Sequence, residues 1–178
     1  MIVISDTTPL RYLIEIEEVH ILEKLFGQVI IPEKVYEELQ GKKTPQKVKE
    51  WIQSPPSWLE VRQADLSLFT PERPIQDGER EAIALAIELK PDALLLDDED
   101  AMKEAYRLKI PFLRTFRILE EAAKKNFLGD LTKVVEKMSQ TSFYMPPNEL
   151  IDAMLERDRQ RKEQKERQAH AKPAEDED

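Results

Sequence analysis

The 178-residue sequence predicts an α/β fold with a central, mainly parallel sheet and helices on both faces, and three observations carry that expectation. Short apolar runs of strand length alternate along the chain with longer segments whose apolar residues recur every three or four positions. Glycine, proline and aspartate punctuate the junctions. No internal repeat competes with this pattern.

Ile2–Ser5 is an apolar run short enough for a strand buried on both faces, and Asp6 stands at its carboxyl end. Pro9 suits the first turn of a helix carrying Leu10, Leu13, Ile14 and Ile16. A second helix with Val19, Leu22, Leu25 and Phe26 stops at Gly27. Gln28–Ile31 reads as the next strand. Pro32 opens a helix with Val35, Tyr36 and Leu39 on one face and Gly41 at its close, and Lys47–Gln53 forms another before the proline break at Ser54–Ser57.

Trp58–Arg62 has strand character, and Ser67–Gln76 is a loop. Asp77 is the expected cap of a long helix, Gly78–Lys90, with Ala82, Ile83, Ala86 and Leu89 on its apolar face. The strand Asp92–Leu96 runs into Asp97, Asp98, Glu99 and Asp100; a helix over Ala101–Leu108, a short strand Ile110–Leu113 and a helix Phe116–Asn126 follow. Beyond Gly129 the chain turns helical and polar. The expected organisation is a domain over residues 1–150 and a charged C-terminal helix with a disordered tail over 151–178. Arg157, Arg159, Arg161, Lys162, Lys165 and Arg167 make that end basic, and Asp158, Glu163 and Glu166 break the run. A solvated helix fraying into disorder is the expectation, with contact to RNA or a partner as the alternative.

Absences narrow the chemistry. The chain has no cysteine, which excludes disulfides, thiolate metal sites and cysteine nucleophiles. His20 and His170 are its only histidines, and glycines at 27, 41, 78 and 129 cannot build a P-loop or a dinucleotide fingerprint. The longest uninterrupted apolar run, Ala82–Ile87, is far short of the roughly 20 residues that span a bilayer. With no basic leader at the N-terminus, a cytoplasmic protein without membrane association is expected. A net charge of −9 disfavours nonspecific binding to polyanions unless a basic patch or bound cations intervene.

Carboxylates, hydroxyls and amines therefore remain. In open α/β sheets, ligands bind outside the carboxyl ends of the strands, and two strands here end in aspartate, so Asp6 and Asp97 should converge. Each has an alternative as a helix cap or turn residue. Glu79 lies at the top of the buried stripe of its helix and Glu38 beside the face that packs on the sheet, unless each is a boundary glutamate reaching water or a lysine. Glu37, Glu81, Asp98 and Asp100 compete for the same places. Converging carboxylates suit Mg²⁺ or Mn²⁺, ions that pair with phosphate oxygens and promote phosphodiester hydrolysis. Ser5, Thr7 and Thr8 either orient a phosphate or a water beside Asp6 or cap the following helix.

Four blocks, in order, resemble the motifs of PIN-domain ribonucleases: Ile2 to Leu10 around Asp6, Val29 to Leu39 around Glu38, Asp77 to Ala86 around Glu79, and Ala93 to Asp98 around Asp97. The opening Ser5-Asp6-Thr7-Thr8-Pro9-Leu10 is similar to the VapC-like toxin branch, and the resemblance covers about residues 1–130. It implies a PIN-like fold and a metal-dependent endoribonuclease. Asp6, Glu38, Glu79 and Asp97 are then the catalytic residues and the Mg²⁺ or Mn²⁺ ligands, with Asp98 as a further ligand. It also implies an RNA substrate, a homodimer, and a cognate antitoxin holding a toxin inactive.

Two departures from the branch stand out. Met102 replaces an arginine, and Arg114-Thr115-Phe116-Arg117 replaces Gly-Thr-x-Gly. Arg114, Thr115 and Arg117, with Ser5 and Thr7, form the expected substrate-binding set; the two arginines either bind RNA phosphate or pair internally with the carboxylates. Two other functions stay open. One is a catalytically silent PIN domain acting as an RNA-binding or protein-interaction module, and the other is a phosphoacceptor of the receiver type.

Overall fold

A computed structural model describes residues 1–171 of the chain. Five strands, β1 (Ile2–Ser5), β2 (Gln28–Pro32), β3 (Leu59–Arg62), β4 (Ala93–Leu95) and β5 (Phe112–Leu113), form one all-parallel sheet in the order β3-β2-β1-β4-β5. The expected α/β class is what is found. Nine helices occur among the described residues: α1 (Thr7–Glu15), α2 (His20–Phe26), α3 (Glu33–Glu38), α4 (Gln46–Gln53), α5 (Asp77–Leu89), α6 (Glu99–Arg107), α7 (Thr115–Lys124), α8 (Leu131–Ser139) and α9 (Asn148–Ala171).

Residues of the three central strands alternate between two cores, which explains why these strands are largely apolar, whereas the edge strand β3 alternates with the polar Glu60 and Arg62. Val3, Val29, Ile31 and Leu95 face one layer, built mainly from α1, α2, α4, α7 and α8. Ile4, Ile30 and Leu94 face the other, covered by Ile83 and Leu85 of α5 and Ala101 and Ala105 of α6. Gly27, at φ 80°, terminates α2 in a backbone conformation that a side chain would strain.

Several boundaries differ from expectation for local reasons. The N-cap of α5 is Gln76, not Asp77, because the Gln76 N–H donates to the Glu79 carboxylate at 2.8 Å and fixes the turn one residue earlier. Across the start of the expected loop, Leu66–Leu68 makes a 3₁₀ turn capped by the Asp65 carboxylate, which accepts from the Ser67 N–H at 3.0 Å. The C-terminal helix is regular to Ala171, and residues 172–178, where the disordered tail was expected, lie outside the described residues. Residue 150 falls inside α9, whose early turns bury Met154 and place Arg157 against Glu120 of α7 at 2.8 Å. No described helix is long and apolar enough to cross a membrane.

Candidate metal centre

The strand order reverses between β1 and β4, and this switch point is where an open parallel sheet leaves a crevice at its carboxyl edge. Asp6 and Asp97 stand there. Ser5 pairs in register with Leu95, and the Asp6 N–H continues the ladder onto the Leu95 carbonyl at 2.9 Å. Asp6 occupies the N-cap position of α1 without making a side-chain cap bond, so capping does not account for its carboxylate. It is buried at 3% exposure.

Each neighbouring carboxylate is delivered by a separate element and held by a specific donor. Thr7 Oγ1 donates to Glu38 Oε2. A Cβ added at Gly78 would lie 2.6 Å from Glu38 Oε2 and 2.8 Å from Oε1, so this helix position has to be glycine for Glu38 to reach inward. Glu79, also buried, accepts from the Gln76 N–H. Asp97 accepts from the Thr115 N–H at 3.0 Å and from Thr115 Oγ1 at 2.5 Å.

Glu79, Glu38 and Asp97 lie near enough to Asp6 for their charges to act on its carboxyl. Burial pushes the Asp6 carboxyl well above the usual range, and Glu79, Glu38 and Asp97 add repulsion that the nearby Thr7 N–H only partly offsets. Burial also raises Glu79 to about 7, with Asp98, Glu38 and Asp100 contributing repulsion against the Gln76 N–H. Asp97 is raised by burial, while the Thr115 hydrogen bonds and the Arg114 charge pull it back. Among the described residues none of Asp6, Glu38, Glu79 and Asp97 forms an ion pair.

The competing residues sort themselves out. Glu81 accepts from the Lys34 N–H at 3.0 Å, and Glu37 pairs with Lys34 Nζ at 3.3 Å on the surface. Asp98 caps α6, accepting from the Ala101 N–H at 2.9 Å, and Asp100 pairs with Arg73 at 3.3 Å. Of the expected substrate-binding residues, Ser5 is fully buried with its hydroxyl donating to the Asp6 carbonyl at 2.8 Å, and Thr115 is fully buried on Asp97. Thr7 is engaged with Glu38. Arg117 pairs with Glu120 and Glu121 at 3.3 and 2.8 Å, away from the quartet, whereas Arg114 is exposed and close enough to Asp97 to act on its charge. Neither arginine is ion-paired to a quartet carboxylate.

Sequence reasoning missed the role of Gly78. A glycine near the start of an otherwise strong helix costs helix stability relative to alanine, and that was the available signal. It also missed Glu104, buried at 1% exposure, which accepts from the Glu72 and Arg73 N–H groups at 2.6 and 2.7 Å and pairs with Arg107 at 2.6 Å. Glu104 thereby pins the segment that leads into α5 and Glu79. Nothing in the spacing marks it.

An all-oxygen, acidic donor set has the chemistry of a hard divalent cation site. Among the described residues no three acidic or histidine side chains close on one point as a metal-holding group, and Glu38, Glu79 and Asp97 each rest on a separate donor. The chain has no significant match among curated proteins or among solved structures. The model of the DUF3368 family, a PIN domain, matches residues 2–159, which span every element of the sheet and all four quartet positions. PIN domains are in general nucleases that use divalent metal ions. On that match, and with the sheet and crevice it requires in place, the chain belongs to the PIN-domain family.

Proposed function

We propose that this protein is an endoribonuclease that hydrolyses RNA phosphodiester bonds at a Mg²⁺ or Mn²⁺ centre held by Asp6, Glu38, Glu79 and Asp97, with Asp98 beside them. The observation that supports the reading is the nearness of Glu38, Glu79 and Asp97 to the buried Asp6 at the switch point, with no ion pair to any of the four among the described residues. A bound divalent cation would supply the positive charge that offsets both the carboxylates and the negative charge developing on a phosphoryl group. The chain's own groups set the geometry. Thr7 holds Glu38 and Thr115 holds Asp97, so two ligands are oriented before substrate arrives. Arg114, exposed beside Asp97, meets a substrate phosphate and opposes the acidity of the crevice.

The similarity of the Ser5–Leu10 opening to VapC-like toxins supports a finer reading: a cytoplasmic toxin acting as a homodimer and restrained by a cognate antitoxin. Co-expression with the product of an adjacent small reading frame should relieve growth arrest and co-purify with the protein. The catalytic reading is tested by incubating structured and single-stranded RNA with the protein in Mn²⁺ or EDTA, beside Asp6→Asn. Cleavage should require the metal and the aspartate; cleavage indifferent to both would overturn it. A second reading, a silent PIN domain that binds RNA or a protein, is favoured by Glu38, Glu79 and Asp97 each resting on a donor of its own instead of closing on one point. RNA binding with no cleavage in any metal would select it.

A further inference from the structure

Two of the candidate metal ligands stand at the starts of neighbouring helices. Asp97 is separated from the first residue of α6 only by its cap, Asp98, and Glu79 lies in the first turn of α5. Glu104, in the body of α6, ties the two together. Its Oε1 accepts from the Glu72 and Arg73 N–H groups at 2.6 and 2.7 Å, and its Oε2 accepts from Arg107 Nε and Nη2 at 3.0 and 2.6 Å. Side chains reinforce the same junction: Arg107 reaches Glu72 at 3.3 Å, and Arg73 reaches Asp100 at 3.3 Å. Beyond Arg73 the chain runs through Pro74 and Ile75 to Gln76, whose N–H holds the Glu79 carboxylate at 2.8 Å. Pro74, with its fixed φ, leaves that short link little slack.

We propose that Glu104 is a positioning residue for the metal centre: by fixing Glu72 and Arg73 to α6 it sets the spacing between Glu79 and Asp97, and with it the preference for Mg²⁺ over Ca²⁺. The inference rests on the metal-dependent reading above and deepens it. A buried ion pair adds little net stability over an apolar pair of similar volume. A carboxylate at 1% exposure with both oxygens committed is better explained by the one backbone geometry it holds. Geometry is also what separates the ions. Mg²⁺ demands a near-ideal octahedron at about 2.0–2.1 Å, whereas Ca²⁺ accepts a looser set of oxygens at about 2.3–2.6 Å. Freeing the segment 72–76 from α6 therefore weakens Mg²⁺ more than Ca²⁺.

Calorimetric titration of the full chain with Mg²⁺ and, separately, with Ca²⁺ tests this. Glu104→Ala should lower the Mg²⁺-over-Ca²⁺ affinity ratio at least about tenfold. Glu104→Gln keeps an oxygen for the two backbone N–H groups and should hold the ratio within about threefold of wild type. Pro74→Gly loosens the link with Glu104 intact and should shift the ratio in the same direction as Glu104→Ala; it decides the matter should Glu104→Ala not fold. Met138→Ala opens a cavity in the core layer on the opposite face of the sheet, so it should lower stability and leave the ratio unchanged. An unchanged ratio in a folded Glu104→Ala or in Pro74→Gly would overturn the proposal. So would a shift in Glu104→Gln or Met138→Ala as large as that in Glu104→Ala. Wild type that binds neither ion defeats the metal centre itself; binding whose ratio ignores Glu104 and Pro74 defeats only the positioning role.

Discussion

Replacing Glu79 by glutamine should stabilise the metal-free protein, and the gain should grow with pH. Glu79 is buried at 9% exposure, and its carboxyl rises from 4.5 to about 7, chiefly through burial and then through repulsion by Asp98, Glu38 and Asp100. A carboxyl raised in this way holds its proton more tightly folded than unfolded. Its contribution therefore favours the folded state at low pH and is lost as pH climbs from 4.5 through about 7. The rise corresponds to at most about 3 kcal/mol. Glutamine can keep the contact with the Gln76 N–H through its carbonyl oxygen but carries no charge. Between about pH 5 and about pH 8, the stability of Glu79→Gln relative to wild type should increase by about 2–3 kcal/mol, or about 4–12 °C in Tm. Thermal and urea denaturation in EDTA at the two pH values measure it. A difference that does not change with pH, or that shifts toward wild type, would refute a buried and repelled Glu79.

Gly78→Ala should separate site from fold. The new methyl meets only the mobile end of Glu38, so stability should hold within about 1 kcal/mol, whereas metal affinity and cleavage should fall at least about tenfold; calorimetry and a cleavage assay on the same sample check both. Thr115→Val keeps the backbone donor to Asp97 and removes the hydroxyl donor, so Asp97 should ionise at higher pH. Stability should drop by about 1 kcal/mol, and the acid limb of the cleavage pH profile should move upward. Glu104→Ala leaves two backbone N–H groups without their acceptor and Arg107 with Glu72 alone; a loss of about 2–4 kcal/mol in urea unfolding is expected, and a loss below about 1 kcal/mol would contradict its pinning role.

The sheet was legible because its three central strands are buried on both faces: Ile2–Ser5, Gln28–Ile31 and Ala93–Leu95 are each largely apolar over a strand's length. Asp6 and Asp97 were legible from their place after such runs. Glu38 was not fixed by periodicity alone. What turns it inward is a through-space fit to Thr7 and Gly78, residues 31 and 40 positions away in the chain. The end of α9 was hidden for another reason. Its polar composition reads as frayed, yet Asp158 pairs with Arg161 and Lys162 at 2.7 and 2.9 Å, and Arg159 bridges Glu156 and Glu163, which supports a helix that buries little. The packing of Phe143 left no pattern either, because the residue lies in a connection whose partners, Tyr12 and Phe116, are distant in sequence.

Titration of the metal-free protein with Mn²⁺ by calorimetry, beside Asp6→Asn, tests the convergent carboxylates most directly. Wild type should bind Mn²⁺ with proton release at neutral pH, because Asp6, Glu79 and Asp97 all hold protons more tightly than usual before the cation arrives. Asp6→Asn should lose affinity by at least about tenfold. Unchanged affinity in Asp6→Asn, or binding without proton release, would contradict the account.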